Sequence, residues 1–340
     1  MLDTELIWKK IRSYGKALVV TTLTQSLGTF ALVSLAFGVL FVMENIPLYL
    51  AFVFGGIALA TAPAPVLSIV KEFHAKGPVT DTLLPMTVLD DIVGIVVFFT
   101  VNSLVAREVS GGTVPLIMIP VMIFLPVAIG AVIGFPTGLV LRKWHKKVVV
   151  LAALLAGITL TMLTGWAFNA FLLKGITLNY MLMGVAFATV FSNMVSTEQL
   201  KEISDCFSPI LGVSLLAAIV DLGAPMNYHF ILGAGMYTFV YILARAMGKY
   251  FGAMAGSYIM HMPGVVSKYL GLTLLPHSGV SLVFTGIICA TLSSEPGLVQ
   301  IVQGTIAAAA VINELIAVIA AKKGFQLAGE IKNENGRKMI

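Results

Sequence analysis

Ten apolar stretches recur along this chain, at about 17–43, 47–70, 79–106, 114–141, 148–168, 179–196, 206–222, 229–251, 269–292 and 297–321. A hydrocarbon core of about 30 Å is crossed by roughly 20 helical residues, so each stretch can span a bilayer and too little chain remains for a sizeable soluble domain. Composition agrees: 58% of the 340 residues are hydrophobic and 11% are charged, against about 25% charged in soluble domains. The stretches are continuously apolar, with Gly and Pro inside them. Barrel strands would instead alternate lipid-facing and lumen-facing residues, so the expected fold is an all-α polytopic membrane protein of about ten transmembrane helices. Cys206 and Cys289 are too few and too far apart for a disulfide framework or a metal site. The first sixteen residues, MLDTELIWKKIRSYGK, lack the apolar core of a secretory signal. They read as an amphipathic lead-in at the membrane surface.

Basic residues divide unevenly between the loops. The side holding both termini carries the clusters Lys9–Lys16, Arg142–Lys147 and Lys322–Lys338, with Lys71, Lys76, Lys201 and Lys268; the opposite loops carry Arg107 and Lys174 alone. Lys and Arg accumulate in cytoplasmic loops, so both termini are expected in the cytoplasm. An odd number of crossings would scramble this bias. Topology accounts for the net charge of +5, which leaves no reason to expect a nucleic-acid partner. His74 and His145 fall in basic loops and need no special role.

The second stretch reads PLYLAFVFGGIALATAPAPVLSIV, with Gly55, Gly56, Pro63 and Pro65 near its middle. Proline removes an amide and clashes with the carbonyl one turn earlier, so residues 61–65 are expected to be unwound. The ninth stretch, YLGLTLLPHSGVSLVFTGIICATL, has Pro276, His277, Ser278 and Gly279 in the same relative place. A single such break is an ordinary proline kink. Two in corresponding positions indicate an ion site, because freed backbone groups persist at membrane depth only where protein or a water-filled cavity satisfies them. VLDDIVGIVV, from Val88, aligns without gaps on VINELIAVIA, from Val311, setting Asp90 opposite Asn313 and Asp91 opposite Glu314. Stretches one to three and eight to ten therefore form two three-helix units, each with a discontinuous middle helix. The first and eighth enter from opposite sides, so the repeat is inverted. That is the architecture of secondary transporters, with the site near the midplane between the repeats.

Asp90 and Asp91 are the costliest residues in the chain. A carboxylate at the bilayer centre is functional by default and faces the protein interior or a water path; two so close titrate as a coupled pair. On a helix Thr87 lies on their face, and Gly94 leaves room for another backbone to approach. Such a group holds either a proton or a metal cation, and that competition is the simplest form of exchange. In the eighth stretch Arg245 and Lys249 lie one turn apart on one face. The bland account has their stems snorkelling to the cytoplasmic surface; the alternative is a buried salt bridge, with Lys249 paired to Asp90. Glu314 and Asn313 line the site by repeat symmetry or hold a structural hydrogen bond. His277, beside the second break, either senses pH near neutrality or satisfies local backbone. Asp221 reads as a helix terminus. The chain calls for no cofactor, and for no metal beyond a transported cation.

ATAPAPVLSIVKEFHAKGPVTDTLLPMTVLDDIVGIVVFF resembles the discontinuous helix and following carboxylate helix of the monovalent cation:proton antiporter superfamily, the sodium/proton exchanger group. ARAMGKYFGA, KYLGLTLLPHSGVSLVF and AVINELIAVIA resemble that family's last three helices in order. The resemblance implies proton entry coupled to sodium exit at the plasma membrane by an elevator motion, with Asp91 as ion and proton carrier, Asp90 beside it and Lys249 as the family's lysine. Arg245 stands at the position of its arginine variant. Backbone around Thr61 and His277, with Ser278, would surround the site, and Thr87 would line it. The Asp pair implies electrogenic exchange. Domains are expected as a lead-in at 1–16, a first core repeat at 17–106, scaffold helices at 107–228, a second core repeat at 229–321 and a cytoplasmic tail at 322–340. The start MLDTELIWKK resembles the family's loop into its first core helix, which implies that two or three N-terminal helices are missing. A homodimer is expected where those are present. Two other transport-class readings are a sodium-coupled organic-anion symporter and a truncated inactive remnant. An intramembrane aspartyl protease needs its carboxylates facing each other from separate helices, whereas adjacent residues point about 100° apart.

Overall fold

The computed structural model describes residues 15–109, 118–144, 146–172, 178, 180–223 and 235–331; the first fourteen residues, His145, Lys174 and the tail after Ile331 lie outside these, as do the side chains of Asp221 and Glu314. The described chain is helical: α1 (Gly15–Glu44), α2 (Tyr49–Ala58), α3 (Pro63–Glu72), α4 (Pro78–Val109), α5 (Met118–Lys143), α6 (Lys147–Ala167), α7 (Tyr180–Met194), α8 (Thr197–Gly223), α9 (Gly235–Ile259), α10 (Gly264–Thr273), α11 (Gly279–Thr291) and α12 (Pro296–Leu327). A π-helical turn, Phe168–Leu172, extends α6. Helices α2 with α3, and α10 with α11, are the two halves of broken spans, so the expected ten crossings map onto the helices one to one. Among the described residues, five unbroken segments are long and apolar enough to span by themselves: Gly15–Glu44, Pro78–Val109, Phe124–Lys143, Lys147–Phe171 and Pro296–Asn313.

Proline chemistry sets both breaks. Pro63 opens α3, where its missing amide costs nothing, and Ala62 before it is extended at φ −79°, ψ 115°. Ser278, at φ −80°, ψ 145°, caps α11 by accepting from the Val280 amide at 3.2 Å. The two unwound segments meet: Thr61 and His277 form an antiparallel bridge, and the Ala62 amide donates to the Pro276 carbonyl at 3.1 Å.

Helix lengths differ from the sequence reading in two places that matter. The eighth stretch was expected to end near residue 251, but α9 runs to Ile259. Lys249 is therefore well inside a helix, 0% exposed, with Arg245 at 1%; neither snorkels. The segment expected as a tail from 322 is helical to Leu327, and Glu330 just beyond it is buried. Its carboxylate accepts from the Val79 amide at 2.6 Å, and from the Thr80 amide at 2.9 Å and hydroxyl at 2.6 Å. An anion there satisfies orphan amides at the start of α4.

The chain forms two compact units. One takes Ser13–Val105 and Asp221–Ile340; the other takes in Ala106–Val220. In the second, Ile133, Leu154, Phe187, Phe191, Leu200 and Ile203 belong to one core cluster. In the first, α1 and α9 meet backbone to backbone. A Cβ added at Gly248, Gly252 or Gly256 would lie 2.6–2.7 Å from the Cα of Thr29, Gln25 or Thr21 respectively. Small residues every fourth position allow such close helix contact in membranes. The hydroxyls lining this contact cost little, since Thr22 and Thr29 donate to the carbonyls of Leu18 and Gln25 at 2.9 and 2.8 Å. Stacked rings pin the neighbouring half-helices: Phe37 on Phe54 at 4.1 Å, and Phe98 on Phe284 at 4.0 Å.

Candidate ion site at the crossing of two broken helices

Four half-helix ends converge where the breaks cross. The carbonyls closing α2 and α10 have no following amide to accept from, and they carry the negative ends of their helix dipoles. Arg245, one turn before Lys249 on α9, answers both. Its Nε donates to Ala58 O at 3.0 Å, Nη1 to Leu275 O at 2.5 Å, and Nη2 to Ala60 O at 2.9 Å and Pro276 O at 3.3 Å. A planar five-donor fork suits this task better than an ammonium would. Asn313, on α12, adds a donation to Leu275 O at 3.0 Å. Arg245 therefore compensates backbone carbonyls, as a staple between the two breaks.

Lys249 makes the link to the carboxylates. Its Nζ lies 2.7 Å from Asp90 Oδ2, both side chains fully buried. It also donates to the Thr61 hydroxyl at 2.8 Å and to the Leu59 carbonyl. Thr61 passes its own proton to Asp90 Oδ2 at 2.5 Å. The expected pairing of Lys249 with Asp90 is thus present, and Thr61 bridges it from within the first break. Asp91 follows on α4 and is 4% exposed. Gly94, one turn on, faces the same break, where a Cβ would sit 3.5 Å from Leu59 Cβ.

Other expected residues sit farther from the carboxylates' bonds. Thr87 is buried, but its hydroxyl donates to the Leu84 carbonyl at 2.9 Å on its own helix. His277 Nε2 lies 3.0 Å from the Tyr241 hydroxyl, and Ser278 is occupied as the α11 cap. Glu314 belongs to α12, with its side chain outside the described ones.

Two residues of the site escaped the sequence reading. Ser26 donates to Asp90 Oδ1 at 2.5 Å. Gln25 spans the ion pair once its amide is turned so that nitrogen and oxygen each meet a partner: the nitrogen then donates to Asp90 Oδ1 at 3.1 Å and the oxygen accepts from Lys249 Nζ at 2.8 Å. The signal was the polar run TTLTQS in the first apolar stretch, whose Thr21, Gln25 and Thr29 repeat every fourth residue. Taken together, two carboxylates, one guanidinium and one ammonium sum to no net formal charge within a buried cluster, so gain of one proton or one cation changes the balance by a full unit.

A family model described as "Sodium/hydrogen exchanger, transmembrane" matches residues 4–322. The chain belongs to the sodium/hydrogen exchanger family. It is therefore an integral membrane transporter of monovalent cations and protons and not an enzyme, which removes the protease alternative. Comparison with curated proteins returns no matching relative. Among solved structures, the sodium proton antiporter MjNhaP1 from Methanocaldococcus jannaschii at pH 8 is similar with a TM-score of 0.72 and 17% identity, over 97% of this chain and 82% of that one. An electron-microscopy structure of the same antiporter gives 0.63 and 19%, over 98% and 83%. At these identities the likeness fixes the exchanger fold. The Asp pair of α4 with Arg245 and Lys249 of α9 gives this exchanger its buried charge.

Proposed function

We propose that this exchanger moves sodium out against protons in, across the plasma membrane, by alternating access, with Asp91 as carrier. The observation that carries the reading is the buried Lys249–Asp90 pair, tied by Thr61 to a break in the membrane and adjacent to a second carboxylate. A buried ion pair is costly to assemble and often no more stable than an apolar substitute, so its presence at the crossing favours a working role. In the proposed cycle Asp91 releases its proton, a desolvated cation enters beside the pair, and Asp90 exchanges its contact with Lys249 for one with the cation. Rebinding of a proton by Asp91 expels the cation, and Lys249 returns to Asp90. Thr61 and backbone of the two breaks supply oxygens. Arg245, Asn313 and Ser278 keep the half-helix ends in place.

The wider reading has both termini in the cytoplasm, core repeats at 17–106 and 229–321, scaffold helices at 107–228 and assembly as a homodimer. The basic clusters Arg142–Lys147 and Lys322–Lys338 support that orientation. Everted vesicles carrying a pH-gradient dye test the function directly. Sodium, lithium and potassium are added in parallel to wild type and Asp91→Asn. Dissipation of the gradient by wild type and its loss in the variant support the assignment; equal responses would sink it.

A further inference from the structure

We propose that Gln25 is a direct oxygen ligand of the transported cation, at the place the Lys249 ammonium now fills. The inference rests on the exchange reading and deepens it.

An ammonium has three N–H groups, yet four oxygens converge on Lys249 Nζ. They are the Leu59 carbonyl, Thr61 Oγ1 at 2.8 Å, Asp90 Oδ2 at 2.7 Å and, with the amide turned to satisfy both of its neighbours, the Gln25 oxygen at 2.8 Å. One oxygen exceeds the hydrogens available. Hydrogen bonds are counted one per N–H, whereas a spherical cation is satisfied by the number and spacing of oxygens around it. The set contains one backbone carbonyl, one hydroxyl, one carboxylate oxygen and one amide oxygen, all hard donors suited to a monovalent cation.

The surroundings explain why the amide presents oxygen. Its nitrogen donates to Asp90 Oδ1 at 3.1 Å, which fixes the orientation. Ser26 donates to the same Oδ1 at 2.5 Å, so that oxygen is engaged away from the ammonium, while Oδ2 faces it together with the Thr61 hydroxyl. Gln25 cannot drift, because its backbone lies against Gly252, where an added Cβ would come within 2.7 Å of Gln25 Cα. Its side chain is buried, so when the cation leaves, the returning Lys249 ammonium is what satisfies the amide oxygen.

Two readouts test this. Sodium-dependent thermal stabilisation of purified protein in detergent reports binding without transport, and vesicle antiport reports KM and Vmax for sodium and lithium. For Gln25→Leu the sodium needed for half-maximal stabilisation and the KM are both expected to rise about tenfold, with Vmax within twofold and a changed sodium-to-lithium ratio. Gln25→Asn keeps the amide on a side chain one methylene shorter and is expected to fall between wild type and Gln25→Leu. A packing role alone would lower the melting temperature and leave the cation ratio unmoved. Unchanged sodium dependence and an unchanged ratio in Gln25→Leu overturn the proposal. If that variant does not fold, the same result in Gln25→Asn overturns it. Stabilisation of wild type by sodium without any exchange would bring down the exchange reading, while the two variants still decide the ligand.

Discussion

Asp90, Asp91, Arg245 and Lys249 place four formal charges where lipid-soluble proteins avoid even one, and they divide the work unequally. Arg245 is held by four carbonyls; Leu275 and Pro276 keep Asn313 and the Ala62 amide, so Arg245→Ala takes the donor chiefly from Ala58 and Ala60, buried acceptors that each cost about 1–3 kcal/mol when unsatisfied. A loss of about 3 kcal/mol overall is expected, a fall of about 6–12 °C in the melting temperature of detergent-solubilised protein. Arg245→Lys should recover less than half of it, since one ammonium cannot span both breaks. The carboxylates make a different prediction. On the proposed exchange, proton and cation compete for the same oxygens, and cation binding releases a proton. The apparent KM for sodium is therefore expected to rise as pH falls, by at most about tenfold per unit for one competing proton, with Vmax at saturating sodium little changed. Antiport measured at stepped pH on the binding side checks it; a KM flat across two units would contradict a shared site. The Asp pair and Lys249 were legible in the sequence because charge in an apolar run is conspicuous. Gln25 and Ser26 were not, because neutral polar residues are common in membrane helices and usually satisfy their own backbone, as Thr22 and Thr29 do here. Arg245 was read as a cation seeking a carboxylate. Its partners are carbonyls, which every residue possesses and no sequence pattern marks.

Proline explains why both broken spans could be foreseen, and glycine why the contact of α1 with α9 could not. Pro63 and Pro276 act on their own segments, so the break is written locally. The stripe Gly248, Gly252, Gly256 means something only beside Thr21, Gln25 and Thr29 on a helix far away in sequence. Gly252→Ala would set a methyl 2.7 Å from Gln25 Cα, and backbone atoms cannot step aside as a side-chain tip would. Separation of the helices is expected to cost about 1–3 kcal/mol. Because Gln25 rides on α1 and Lys249 on α9, sodium affinity should fall together with stability. Gly235→Ala, at a position with nothing among the described residues within 4 Å, should leave both unchanged. Helix ends were the least legible part. The extension of α9 to Ile259 passes through GAMAGSYI, whose glycines read as the end of a span, although beside α1 they are what lets the helix continue.

At the scale of the molecule, the unit bearing the site is assembled from the two ends of the chain, Ser13–Val105 and Asp221–Ile340. The gapless match of VLDDIVGIVV to VINELIAVIA announced that pairing, though not the closure at Glu330, which lies beyond the last apolar stretch. Glu330→Gln keeps the side chain's size but removes the charge at the start of α4. Loss of about 1–2 kcal/mol is expected, seen as faster hydrogen exchange at the Val79 and Thr80 amides, with exchange in α6 unaffected. Equal exchange in the variant would show the carboxylate to be idle. The separation of the two ends also dictates an order of manufacture. Asp90 leaves the ribosome 159 residues before Lys249, so α4 enters the bilayer while the counter-cation of its carboxylate has yet to be synthesised. During that interval the nascent protein must keep α4 beside water or the insertion machinery, and the first four helices can settle only when α9 slides in along its glycines. An exchanger of this design is finished last at its centre.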